Sequence, residues 1–179
     1  MALLISGGHT EIVYVPELGQ YQKIGQTLDD AVGEAFDKVA RLLGLPYPGG
    51  PQISKLAQID RLSNPKATID LPKPMLHSGD LNMSFSGLKT AVLYMVQKLK
   101  DASVTTELSD EQKQNIARSF EDSVTEVLVK KVLKAIEQYG GDESVKTILV
   151  GGGVSANTFI KQNLTDAVQK YDTNISIIF

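Results

Sequence analysis

The stretch over residues 110–139 constrains the fold most, because its apolar positions recur at helical spacing. Ile116, Phe120, Val124, Val127, Leu128, Val132, Ala135, Ile136 and Tyr139 form one continuous face. Ser109 and Gln112 supply both halves of a capping box, Asp110 and Glu111 suit the positive end of the helix, and Gly140-Gly141 closes it. At ~1.5 Å per residue such a helix is about 45 Å long. A face of that length needs a sheet or other helices to cover it.

The flanking segments supply strands. Residues 3–6 and 10–15 flank Gly7-Gly8 and read as a hairpin, and 21–26 reads as a third strand. A helix is expected from Thr27, with Thr27 as N-cap, Asp30 in the capping-box place and Ala31, Val32, Ala35, Phe36, Val39, Ala40 and Leu43 as its apolar stripe. Gly44 and Pro46 stop it. Six of the seven prolines fall between Pro46 and Pro74, so 46–104 reads as a loop-rich helical insertion into a lobe made of 1–45 and 105–179. Within the insertion a short helix is expected from Pro51 to about Ile59 and a strand near 67–71. A further helix runs to Lys100, with Ser84 or Ser86 as its cap. After the long helix come a strand at 146–150, Gly151–Gly153, a helix from about Ser155 to Lys170 and a strand at 175–179. The order β-β-β-α, insertion, α-β-α-β implies an α/β fold, a mixed sheet with flanking helices. Strands 3–6, 10–15, 146–150 and 175–179 are expected in one sheet, with helix 110–139 packed on it.

Composition excludes several chemistries. With no cysteine there is neither a disulfide framework nor a thiolate metal site, and His9 and His77 are too far apart in sequence to make a paired-histidine motif. The net charge of −3 gives no global basic field for nucleic acid, though a local patch is compatible with it. Lys89, Lys98 and Lys100 are candidates for phosphate contact, against the plainer reading of a solvated helix face. No apolar run reaches the ~20 residues of a membrane span. A soluble, reducing, cytoplasmic setting is expected.

Four glycine-bearing stretches are candidates for a ligand site. Gly7-Gly8 offers amides that cup a phosphate, or a plain hairpin turn. Gly151, Gly153 and Ala156 follow a strand and precede a helix. They fit G-x-G-x-x-A, but the chain has no room for the acidic residue that a dinucleotide fingerprint places ~20 positions on. Asn157 either reads a base or ribose edge or bonds the first helical turn. On the first helix Asp30, Gly33, Glu34, Asp37 and Arg41 share a side. It is either a solvated face with a Glu34–Lys38 pair or a ligand-facing one, where Asp37 accepts from ribose hydroxyls and Gly33 marks a close approach. Gly49-Gly50-Pro51 is a rigid loop-to-helix entry or a further glycine wall. Combined, these make a nucleotide site without a P-loop.

The segments "LLISGGHTEIV", "DDAVGEAFDKVARLLGLPYPGGPQISKLA", "MSFSGLKTAV", "RSFEDSVTEVLVKK" and "LVGGGVSANTFIK" together resemble the TsaD-type tRNA N6-adenosine threonylcarbamoyltransferases, also called O-sialoglycoprotein endopeptidases. The resemblance covers essentially the whole chain. It implies an RNase H-like lobe of the actin-like, sugar-kinase and Hsp70-like ATPase superfold. The activity it implies is transfer of a threonylcarbamoyl group from threonylcarbamoyl-adenylate to N6 of adenosine 37 in tRNA, with other subunits of the threonylcarbamoyladenosine-forming complex as partners. Carried over by position, Leu4, Ile5, Ser6, Gly7 and Gly8 form the phosphate-side loop, Asp37 the ribose acceptor, and Gly50 and Asn157 the rest of the adenylate, ATP or AMP site.

The family's divalent metal, iron or zinc, is held by an H-x-x-x-H motif and an aspartate of a D-N-x-A/G-M motif. Neither occurs in this chain, so no metal residue is assigned here. The resemblance is to the second half of a longer protein, and the expectation is a fragment that is inactive alone. The alternative is a non-catalytic lobe that binds nucleotide or tRNA. A dehydrogenase domain rests only on GGGVSA, and a glycoprotease has no supporting residues.

Overall fold

The computed structural model describes residues 1–65, 67, 69–101, 107–140 and 145–179. It contains β1 (Ala2–Ile5), β2 (Thr10–Tyr14), β3 (Gln22–Gln26), α1 (Val32–Leu42), α2 (Gly49–Ser63), α3 (Ser86–Asp101), α4 (Asp110–Tyr139), β4 (Thr147–Gly151), a 3-10 turn (Gly153–Ala156), α5 (Thr158–Tyr171) and β5 (Ser176–Ile178). The five strands form one mixed sheet in the order β3-β2-β1-β4-β5. β1 pairs antiparallel with β2 and β2 with β3, whereas β4 runs parallel to β1 and β5 parallel to β4. The hairpin and the single sheet are as expected.

Alternation along the strands decides what the sheet buries. Leu3, Ile5, Ile12, Ile148 and Val150 enter the core, while Leu4, Leu149 and Ile178 stay partly exposed. The core continues through every helix. Phe36 of α1 meets Phe120 of α4 edge to face, ring centroids 5.0 Å apart. Ile53 and Ala57 of α2 and Leu88, Val92 and Val96 of α3 belong to the same cluster. The segment 46–104 therefore carries two helices that pack on α1 and α4. α4 lies mainly along α2 and α5 and meets the sheet at β2, where the Tyr14 and Tyr139 rings are 5.2 Å apart.

Both halves of the Ser109–Gln112 capping box are formed, and Gly140 is the C-cap of α4. Gly141 lies outside the described residues. Elsewhere the caps come from across the fold. α1 begins at Val32, not Thr27, because Thr27 follows β3 and bridges to Met83. Thr10 Oγ1 on β2 accepts the Val32 amide proton at 2.8 Å, and the Ser6 carbonyl accepts that of Gly33 at 3.0 Å. Ser84 and Ser86 do not cap α3 through their own oxygens. Instead Asp29 accepts from both hydroxyls and from the Phe85 and Ser86 amides. α2 starts two residues before Pro51 and runs past Ile59 to Ser63. Residues 69–71 form no strand, and Thr68 lies outside the described residues. The last helix starts at Thr158, later than expected, because the glycines feed first into the 3-10 turn.

Candidate functional site

A cleft of about 430 Å³ opens where the tip of the β1–β2 hairpin, α1, the start of α2 and the 3-10 turn converge. Gly7, Asp37, Gly50 and Asn157 all line it, although they are spread over most of the chain. Phe36, Tyr47, Pro48, Pro51 and Val154 give it an apolar wall. Of the other expected residues, Leu4 packs near Gly151, Ile5 is fully buried in the core, and Ser6 and Gly8 shape the hairpin tip behind Gly7 without lining the cleft.

The hairpin tip is held by its own serine. Ser6 Oγ accepts the amide protons of Gly8 at 3.2 Å and His9 at 2.9 Å. The Gly8 amide is thus engaged locally, and the backbone facing the cleft is that of Gly7. Gly33 carries the close approach that its place in the sequence suggests, but the approaching group is the protein itself. A Cβ there would stand 2.7 Å from the Ser6 carbonyl oxygen and 2.8 Å from the Gly7 nitrogen. Likewise a Cβ at Gly152, which has φ +104°, would meet the Ile5 carbonyl at 2.3 Å. The glycines that line the cleft behave differently. At Gly7, Gly50 and Gly153 nothing lies within 4 Å of an added Cβ, so bare backbone faces open space on three sides of the cleft.

Asp37 is shared between structure and cleft. Its Oδ1 accepts the Gly49 amide proton at 2.8 Å and caps α2, whose N-cap residue, Pro48, makes no side-chain cap bond. Among the described residues, Oδ2 has no hydrogen-bond partner. The rest of that helix side is the solvated face: Lys38 joins Asp30 at 2.7 Å and Glu34 at 2.9 Å. The bond from Lys38 holds the Glu34 carboxyl below its usual range.

Asn157 satisfies its local reading and adds a long-range one. Its Oδ1 accepts the Ile160 amide proton at 3.0 Å as the N-cap of α5. Its Nδ2 donates at 2.7 Å both to Ser54 Oγ and to Glu121 Oε1. Ser54, Glu121 and Arg61 are absent from the expected site. Ser54 lines the cleft beside Asn157, and Glu121, buried on α4, accepts from Ser54 Oγ and pairs with Arg61 at 2.6 Å. The one signal for them in the sequence is a Glu adjoining the apolar face of a helix. His9 and His77 are exposed and lie apart from the cleft. Among the described residues no three His, Asp or Glu side chains converge as metal ligands.

Comparison with known proteins places the chain in a family. Residues 1–177 match the family model of tRNA N6-adenosine threonylcarbamoyltransferase. The proteins of that name from Chromobacterium violaceum, Neisseria gonorrhoeae and Ralstonia pickettii are similar to this chain, with 49%, 50% and 51% identity. The alignments cover 95%, 90% and 92% of this chain and 47%, 44% and 44% of the respective relatives. The chain thus spans less than half the length of these relatives. Its mixed five-stranded sheet with flanking helices is the α/β lobe of the actin-like ATPase fold. With the family model matched over nearly every residue, the chain belongs to the tRNA N6-adenosine threonylcarbamoyltransferase family.

Proposed function

We propose that this chain forms one wall of the adenylate-binding cleft of a cytoplasmic transferase that moves a threonylcarbamoyl group from threonylcarbamoyl-adenylate to N6 of an adenosine in tRNA. The observation that carries this reading is the convergence of Gly7, Asp37, Gly50 and Asn157 on one cleft. Bare backbone at Gly7, Gly50 and Gly153 lets a flat or charged group come close, and the Gly7 amide is a backbone donor suited to a phosphate oxygen. Oδ2 of Asp37, which has no partner among the described residues, suits ribose hydroxyls, while Oδ1 keeps its cap on α2.

In the transfer, the N6 nitrogen attacks the carbamoyl carbon, the bond from that carbon to the phosphate oxygen breaks, N6 loses a proton and AMP leaves. The residues of this chain bind and orient the adenylate half, which is a positioning role. The family's iron or zinc, the second wall of the cleft and the other subunits belong, on this reading, to parts outside this chain, since the H-x-x-x-H and D-N-x-A/G-M motifs do not occur in it.

The test is a chimera in which residues 1–177 replace the matching region of the Chromobacterium violaceum relative, assayed for modified adenosine in tRNA. The chimera is expected to be active, to lose most activity on Asp37→Ala, and to contrast with an inactive isolated chain. A folded but inactive chimera, or product from the chain alone, contradicts the reading.

A further inference from the structure

Glu121 lines no part of the cleft, yet two residues that do line it depend on its carboxylate. Its side chain is 1% exposed. Oε1 accepts from Ser54 Oγ and from Asn157 Nδ2, and Oε2 accepts from Arg61. Arg61 also pairs with Asp122, and its guanidinium carbon lies 3.4 Å over the centroid of the Phe159 ring. Ser54 and Arg61 of α2 and Asn157, the cap of α5, therefore meet on one buried carboxylate of α4, and Asp122 and Phe159 hold Arg61 beside it.

Burying a carboxylate costs several kcal/mol before its partners offset it, and a well-packed apolar side chain often serves stability as well or better. Stability therefore does not by itself explain a glutamate here. Orientation does. Asn157 sets Oδ1 against the Ile160 amide and Nδ2 against Ser54 Oγ and Glu121 Oε1, so turning its amide over would place oxygen against the carboxylate and NH2 against an N–H donor. Ser54 uses its only proton on Glu121.

We infer that Glu121 is a positioning residue for the cleft: from behind the wall its carboxylate locks Ser54 and Asn157 in one orientation. Its link to nucleotide rests on the reading above, but the lock itself is measurable without any ligand. In the unmodified chain, the Asn157 side-chain amide protons should exchange with water at least tenfold more slowly than those of the exposed Gln20. Exchange at the exposed rate overturns the inference whatever the ligand is. With AMP as probe and backbone amide shifts as readout, Glu121→Gln should keep the spectrum of a folded chain, move the Asn157 side-chain resonances and weaken AMP about tenfold, as loss of a supporting partner behind a binding residue typically does. A folded Glu121→Gln chain that binds AMP as the unmodified chain does overturns it. If AMP shifts no cleft residue even in the unmodified chain, the adenylate reading fails. The exchange of the Asn157 amide then still decides whether Glu121 holds the wall.

Discussion

The Asp37 carboxylate and the Gly49 amide are joined at 2.8 Å, so the residue expected to face a ligand also begins a helix. A carboxylate at a helix start both satisfies an orphan amide and meets the positive end of the dipole. Asp37→Ala should therefore destabilise the ligand-free chain by about 1 kcal/mol. Asp37→Asn, which keeps an oxygen for Gly49, should cost a few tenths to 1 kcal/mol at most, chiefly the charge–dipole part. Urea unfolding of both variants distinguishes the roles: equal and negligible losses would mean that the cap contributes nothing.

Asp29 ties α3 to the turn before α1. Burial pushes its carboxyl up, but the Ser84 and Ser86 hydroxyls and the Phe85 and Ser86 amides outweigh that and hold it below the usual aspartate range. A depressed folded-state pKa stabilises the fold fully above the unfolded value of ~3.9, and that share is lost as pH falls through the lower folded value. The stability gap between the unmodified chain and Asp29→Ala should be about 1–2 kcal/mol at neutral pH and should narrow in acid. A gap that widens below pH ~4 would contradict this.

Two glycines make opposite predictions for the same substitution. Gly33→Ala places a methyl group against the Ser6–Gly7 backbone, which has no flexible end to give way. It should cost about 1–3 kcal/mol, despite the better helix propensity of alanine. Gly50→Ala meets no protein atom within 4 Å, so stability should hold or rise by up to ~1 kcal/mol. Its methyl group would project into the cleft, so AMP binding should weaken. Thermal melts and AMP titrations of the pair check both halves, and a destabilised Gly50→Ala with unchanged AMP binding would reverse the assignment.

Elements that close on themselves are readable from their own residues. The Ser109–Gln112 box and the hairpin about Gly7-Gly8 have their partners nearby in sequence, and the apolar face of α4 shows in the spacing of its own residues. The starts of α1 and α3 are not readable in this way, since Thr10 and Asp29 cap them from 22 and 56–57 residues away. The site divides similarly. The glycines and Asp37 stand out as residue types, whereas Glu121 and Arg61 look like ordinary helix surface until α2 and α4 are laid together. Gly33 shows the remaining ambiguity: its pattern signals a close approach, and only the fold shows that the neighbour is the Ser6–Gly7 backbone and not a ligand.

The central claim is that the cleft between the hairpin tip and α5 is one wall of a nucleotide site. The most direct measurement is a titration of the isolated, unmodified chain with AMP, followed residue by residue through its backbone amide resonances. On the proposed reading the second wall lies outside this chain, so the wall present keeps its geometry but loses affinity, and each ~1.4 kcal/mol lost is tenfold in Kd. The account predicts millimolar binding, with shifts concentrated at Gly7, Asp37, Gly50, Gly153 and Asn157. Micromolar binding that is lost on Asp37→Ala would mean that this lobe holds a complete site. Shifts centred elsewhere, or none at these residues, would mean that the cleft is not the adenylate wall.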